Sequence, residues 1–117
     1  MSVKQPNYYL RFVNLVQGLM VDKRLINIEP TTRQLLDEIA LQHSSQTPMT
    51  VSRLMSLDHI ASPATLHRKM QALIESGLIE LSVDKENKRT KFVLLSKRGS
   101  RHFDALSELM LQAVGRK

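Results

Sequence analysis

Thr50-Val51-Ser52-Arg53-Leu54-Met55, then Ser62-Pro63-Ala64-Thr65-Leu66-His67-Arg68-Lys69-Met70-Gln71-Ala72-Leu73, is the stretch that decides the fold. Thr50 is a favoured N-cap type, and Val51, Leu54 and Met55 would share the inner face of a short helix over about residues 51–57. Leu57-Asp58-His59-Ile60-Ala61 reads as a turn. Ser62 caps a longer helix with Pro63 at its first position, where a missing N–H removes no intrahelical bond. Leu66, Met70, Leu73 and Ile74 lie on one face at helical spacing, and Gly77 supplies the left-handed stop. Leu78, Ile79, Leu81 and Val83, then Phe92-Val93-Leu94-Leu95, read as strands around the polar tip Lys85-Glu86-Asn87-Lys88-Arg89. A short helix, a second helix and a charged hairpin, in that order, describe a helix-turn-helix with a wing.

On either side the pattern stays helical. Asn7 caps a helix expected over residues 7–22, where Tyr8, Phe12, Leu15, Val16, Leu19 and Met20 recur at spacings of three and four. Pro30 opens a further helix whose inner face is Leu35, Leu36, Ile39 and Ala40. His43 to Pro48 is loop-like in composition. Ser96 caps a last helix carrying Phe103, Leu106, Leu109, Met110 and Val114. The expected fold is therefore mainly α with a small β-hairpin. One winged-helix domain over 1–117 is divided into an N-terminal helix (7–27), a winged helix-turn-helix core (28–95) and a C-terminal helix (96–117).

The apolar stripes of the two end helices exceed what a small winged core covers. A homodimer would bury the surplus, with Tyr8, Phe12, Leu15, Phe103, Leu106 and Met110 on the pairing surface.

Composition narrows the function. The 117 residues suffice for one ordinary domain, and 42% hydrophobic with 24% charged residues is a globular balance. The net charge of +6 is uneven: residues 1–60 hold 6 Lys/Arg against 5 Asp/Glu, and residues 61–117 hold 11 against 6. A one-sided basic excess favours a polyanion, because each neutralised phosphate releases counterions. With no cysteine, disulfides, Cys-ligated zinc and thiol redox sensing are excluded. Apolar runs are too short to span a bilayer and no apolar signal core follows the N-terminus, so a cytoplasmic, nucleoid-associated protein is expected.

Catalysis finds no support. His43, His59, His67 and His102 have no metal-ligand spacing, the four glycines form no phosphate loop, and no serine sits in a nucleophile elbow. The reading is a non-enzyme with no cofactor and no metal site. The second helix and the hairpin carry the interest instead. With Leu66, Met70 and Leu73 inward, Ala64, Thr65, His67, Arg68 and Gln71 point outward. Short Ala64 and Thr65 allow close backbone approach to double-stranded DNA, and Thr65 offers a methyl and a hydroxyl. Arg68 suits guanine and Gln71 suits adenine. Ser62 and Pro63, at the helix start, suit a phosphate contact. From Asp84 to Arg101 there are 7 basic and 2 acidic residues. Lys85, Lys88, Arg89 and Lys91 cluster at the tip, and Arg89 is the choice for insertion into a narrow minor groove.

These residues resemble the MarR family of bacterial and archaeal transcriptional regulators. The likeness rests on Ile28-Glu29-Pro30, Met49 to Met55, Ser62 to Arg68, Leu73-Ile74-Glu75-Ser76-Gly77-Leu78-Ile79 and Val93-Leu94-Leu95-Ser96-Lys97-Arg98-Gly99, covering about residues 28–100. It implies a homodimer with interlocked end helices and a recognition helix from each subunit in successive major grooves of a palindromic operator. It also implies a wing with an Asp-Arg-Arg-like run whose second Arg enters the minor groove. Here the matching residues are Asn87, Lys88 and Arg89, with an amide where the family has a carboxylate. The absence of cysteine sets aside the family's peroxide sensors. The resemblance leaves room for a small-molecule effector, which no residue pattern in this chain supports. Two other readings stay open on sequence: a winged-helix protein-interaction module, and a nucleoid, plasmid or phage DNA-binding accessory factor. A repressor acting by promoter occlusion fits best, and the basic wing argues against the protein-binding module.

Overall fold

The structure is a computed structural model of the chain and describes residues 6–18 and 25–115. In order, its elements are α1 (Tyr8–Gly18), α2 (Pro30–Ser44), α3 (Val51–Met55), α4 (Pro63–Glu75), β1 (Ile79–Val83), β2 (Lys91–Leu95) and α5 (Lys97–Ala113). They form a winged helix, mainly helical with a single two-stranded hairpin among the described residues. The chain divides into two compact units, residues 28–100 and residues 1–27 with 101–117.

The 28–100 unit is built by capped helices on a leucine-rich core. Ser62 Oγ accepts the Thr65 amide at 3.3 Å and Thr50 Oγ1 accepts the Arg53 amide at 3.1 Å, so both predicted caps form. Ser96 Oγ likewise accepts the Gly99 amide at the start of α5, at 3.0 Å. The cap of α2 is Glu29, whose Oε1 accepts the Thr32 amide at 2.7 Å, a capping role that the sequence did not reveal. Leu35, Leu36, Ile39, Leu54, Leu66, Leu73, Leu78 and Val93 are fully buried. Each contributes about 1.5–3 kcal/mol relative to an exposed side chain. Ala40 is only half-buried.

Two helices end in the same hydrogen-bond pattern. After α4, the Gly77 amide donates to the Ile74 carbonyl and the Leu78 amide to the Leu73 carbonyl, both at 3.0 Å, with Gly77 at φ +79°. This closes the last turn and places Leu78 and Ile79 in the core at the entry to β1. After α2, the Gln46 amide donates to the His43 carbonyl and the Thr47 amide to the Gln42 carbonyl. There the left-handed residue is Gln46, at φ +63°. The stretch expected as a loop from His43 is thus helical to Ser44 and turns only afterwards, because composition does not reveal a left-handed glutamine.

β1 and β2 pair antiparallel from Ile79 with Leu95 to Val83 with Lys91. β2 gains a second neighbour that periodicity did not reveal: the Val93 amide donates to the Met49 carbonyl at 2.8 Å, and Thr50 bridges Phe92. His43 Nδ1 accepts the Leu95 amide at 2.6 Å, tying the end of α2 to the end of the wing. At the start of α5, Gly99 leaves no room for a side chain, since a Cβ there would lie 2.3 Å from the Leu78 carbonyl oxygen.

In the other unit, Leu25, Ala105 and Leu109 form a small buried cluster, with Phe12, Leu15, Val16 and Leu106 packed against it. His102 is buried and its Nδ1 accepts the Ile26 amide at 3.2 Å. Asn7 Oδ1 caps α1 through the Leu10 amide at 3.0 Å. The first helix is described to Gly18; Leu19, Met20 and the expected extension to residue 22 lie outside the described residues. No described helix is long and apolar enough to cross a membrane.

The left-handed Gln46 yields a stability prediction. An L-residue there costs about 1–2 kcal/mol, partly offset by the chain entropy that glycine would lose on folding. Gln46→Gly should therefore stabilise the fold by about 0.5–1 kcal/mol in urea titration. A destabilised variant would rule out the left-handed turn.

Candidate nucleic-acid interface

The rotation of α4 is set by its buried residues. Leu66, Met70 and Leu73 face the core at 0–2% exposure, which turns Ser62, Pro63, Ala64, His67, Arg68 and Gln71 to solvent and leaves Thr65 half-buried. The residues expected on the outward face are therefore brought together along one side of one helix. Glu75 is the only acid from Ser62 to Ser76. The exposed face around Arg68 has Ala64, Thr65, Gln71 and Ala72 as its nearest helical neighbours, none of them acidic.

At the start of the helix three side chains are linked. Ser62 donates its hydroxyl proton to Thr65 Oγ1 at 3.1 Å, and Arg68 Nη2 donates to the same oxygen at 3.1 Å. The intervening base Lys69 points elsewhere. Its Nζ lies 3.0 Å from Glu29 Oε1, so α4 is tied to the N-terminus of α2 by a cation already partnered. Hydrogen bonds from the Thr32 hydroxyl, the Lys69 ammonium and the Thr32 amide, in that order of strength, lower the Glu29 carboxyl from 4.5 to about 2. Sequence reading missed this pair. Its only signal was Glu29 three residues before Thr32, with Pro30 between.

The wing is shaped by two side chains bonding their own backbone. Asp84 Oδ1 accepts the Glu86 amide at 3.0 Å, and Asn87 Oδ1 accepts the Arg89 amide at 3.2 Å. The Thr90 amide closes the turn onto the Asn87 carbonyl at 2.9 Å, and the Asp84 amide bonds the Thr90 carbonyl. Asn87 thus orders the tip through its amide oxygen, a task that needs no carboxylate. Lys85, Glu86, Asn87, Lys88, Arg89 and Lys91 are all exposed. Arg98, just beyond the wing, is committed to the structure: its Nη1 donates to the Ser76 carbonyl at 2.9 Å.

The expected pairing residues divide. Tyr8 (46%) and Met110 (57%) are exposed, together with Tyr9, Leu10, Leu111 and Val114. Phe12, Leu15 and Leu106 are partly covered by the cluster of their own unit, and Phe103 is half-buried, edge-on to His102. Among the described residues no group of three or more His, Asp or Glu is placed to hold a metal ion.

No protein-family profile and no curated protein matches the chain. Solved structures do. A transcriptional regulator from Thermotoga maritima superposes with TM-score 0.65 at 13% identity, over 92% of this chain and 68% of that one. MarR matches with TM-score 0.58 at 20% identity, over 91% of this chain and 70% of its own. MepR of S. aureus, solved as a complex with DNA, matches with TM-score 0.62 at 17% identity, over 91% and 85% respectively. At these identities the likeness establishes the fold, and the sequence resemblance to the MarR family holds at that level.

The Glu29 anchor sets a pH dependence. Its folded-state pKa is depressed, so its contribution to stability is present above about pH 4.5 and lost as the pH falls through about 2. In urea titrations the wild type should exceed Glu29→Gln above that window, and the gap should close within it. A gap independent of pH would mean that the charge of Glu29 is irrelevant to the anchor.

Proposed function

We propose that this chain is a sequence-specific double-stranded DNA-binding transcriptional regulator of the bacterial or archaeal nucleoid, acting as a repressor. α4 is its recognition helix in the major groove and the β1–β2 wing reaches the adjacent minor groove. The observation that carries the proposal is the solvent-facing side of α4. A core-locked helix presents Ser62, Pro63, Ala64, His67, Arg68 and Gln71 to solvent beside a half-buried Thr65, with no acid one helical turn from Arg68. The fold it shares with MepR, which was solved on DNA, supports the same use.

The chemistry follows from the groups on that face. Ser62 and the start of α4 suit a phosphate, which sets register without reading sequence. Arg68 and Gln71 carry the bidentate geometries for guanine and adenine edges. In the wing, Lys88, Arg89 and Lys91 supply cations to the backbone, and Arg89 follows directly on the turn that Asn87 holds. A narrow A·T-rich minor groove concentrates negative potential and would take the Arg89 side chain.

The same proposal includes a homodimer on a palindromic site. Tyr8, Tyr9, Leu10, Met110, Leu111 and Val114 are apolar or aromatic and exposed in one chain. A second copy covering them would bury that area and give the assembly two copies of α4, one for each half of a two-fold operator. Phe12, Leu15, Phe103 and Leu106 would then back the interface from behind.

Selection of bound sites from random duplexes should return a palindrome. An enrichment no better than that of unselected DNA would instead favour a protein-interaction module. Arg89→Ala should weaken binding to all duplexes and reduce the magnitude of the salt slope by about 1. Unchanged affinity and slope would take the wing out of the interface. Met110→Glu places a charge on an already exposed side chain, so it should convert dimer to monomer in sedimentation equilibrium without unfolding the chain. A wild type that sediments as one chain at micromolar concentration would exclude the pairing surface.

A further inference from the structure

Thr65 occupies an unusual place on α4, because its single oxygen is held by donors from both sides. The Ser62 hydroxyl donates to it from one turn before, and Arg68 Nη2 donates to it from one turn after, each at 3.1 Å. A hydroxyl oxygen has two acceptor sites and one proton. Both acceptor sites of Thr65 are therefore filled, and what remains to it is its own O–H. Arg68 has five N–H donors and spends one on Thr65. What Thr65 and Arg68 together offer a ligand is donors only; Ser62 Oγ, which accepts the Thr65 amide, keeps one lone pair at the start of the helix.

That composition discriminates among base edges. In the major groove guanine shows two acceptors, O6 and N7. Adenine pairs an acceptor with a donor, cytosine offers a donor, and thymine offers an acceptor beside a methyl. A donor-only cluster meets guanine without leaving a mismatched group. It also meets phosphate, but the tether argues for the base. Arg68 is held to a point on its own helix, between Ala64 and Ala72, whose short side chains leave the guanidinium clear on both sides. An untethered arginine samples many rotamers and must lose them on docking, whereas a fixed fork has lost part of that freedom beforehand.

We infer that Thr65 is a positioning residue for sequence readout: its hydroxyl, set by Ser62, aims the Arg68 guanidinium at a guanine edge, and this relay fixes one G·C pair in each half-site. The inference rests on the DNA-binding reading above and deepens it.

The experiment is selection from random duplexes with the wild type, Arg68→Ala, Thr65→Val and Thr65→Ser, each checked for folding by thermal melting. Arg68→Ala identifies the G·C pair that Arg68 reads. Thr65→Val keeps the shape and loses the oxygen, so preference for that pair should fall about tenfold. Thr65→Ser keeps the oxygen and should restore it. Adding Thr65→Val to Arg68→Ala should cost no further preference at that pair, because Thr65 acts only through Arg68. Full preference in Thr65→Val, or equal loss in Thr65→Ser, would overturn the relay. So would an Arg68→Ala profile that keeps every position, which would leave DNA binding standing and make Arg68 a phosphate contact. A wild type that selects no site would overturn both the relay and the reading beneath it.

Discussion

Burial of Leu66, Met70 and Leu73 is the constraint on which the rest of the molecule depends. Three side chains at helical spacing, each inside the core, leave α4 one rotation about its own axis. Everything displayed on the opposite side follows from that rotation. Two further restraints act along the axis. The Ser62 cap fixes where the helix begins, and the Gly77–Leu78 turn fixes where it ends and how the chain enters the hairpin. Lys69 adds a lateral tie to Glu29, so the helix is held at its start, its end and its flank.

The same logic separates the basic residues by task. Lys69 and Arg98 are partnered within the fold, one with a carboxylate and one with a backbone carbonyl. Arg68 is bonded only to a neutral hydroxyl on its own helix in that bond and keeps its charge uncompensated by any acid one turn away. The wing lysines and Arg89 project from a turn whose shape comes from Asp84 and Asn87. Net charge alone would have counted all of these equally. The end-helix unit poses a different question. Its small cluster of Leu25, Ala105 and Leu109 covers one side of each helix, while six apolar or aromatic side chains remain outside it. That imbalance is the physical case for a second copy.

Much of the core unit was legible from local signals, because caps and helix stops act over three to five residues. Asn7, Thr50, Ser62, Ser96 and Gly77 all do what their side chains or missing side chains suit them for. The outward set on α4 was legible for the same reason, since helical periodicity needs only the buried positions to be recognised. Other features were not visible, and each has a cause. Glu29 is an uncommon cap type, and its partner Lys69 lies 40 positions away in the chain. Gln46 adopts a conformation that sequence usually marks with glycine. Met49 and Thr50 join β2 through backbone atoms, which carry no residue signature. In the last helix, Met110 and Val114 lie on the expected apolar stripe and are exposed in one chain, while the burial of Ala105 and Ala113 went unread because small side chains add little to a hydrophobic stripe.

By itself the sequence determined the element order, the helix boundaries marked by caps, the inner and outer faces of α4 and the basic character of the wing. Those properties are set by contacts between residues a few positions apart, and by the alternation of apolar and polar side chains. Tertiary structure alone decided which cations are already taken, how His43 and Met49 fasten the wing's second strand, and that Ser62, Thr65 and Arg68 form one hydrogen-bonded line. Each of those depends on side-chain direction or on distant backbone meeting in space. A one-dimensional pattern specifies which residues are available and not which atoms come within 3 Å of one another.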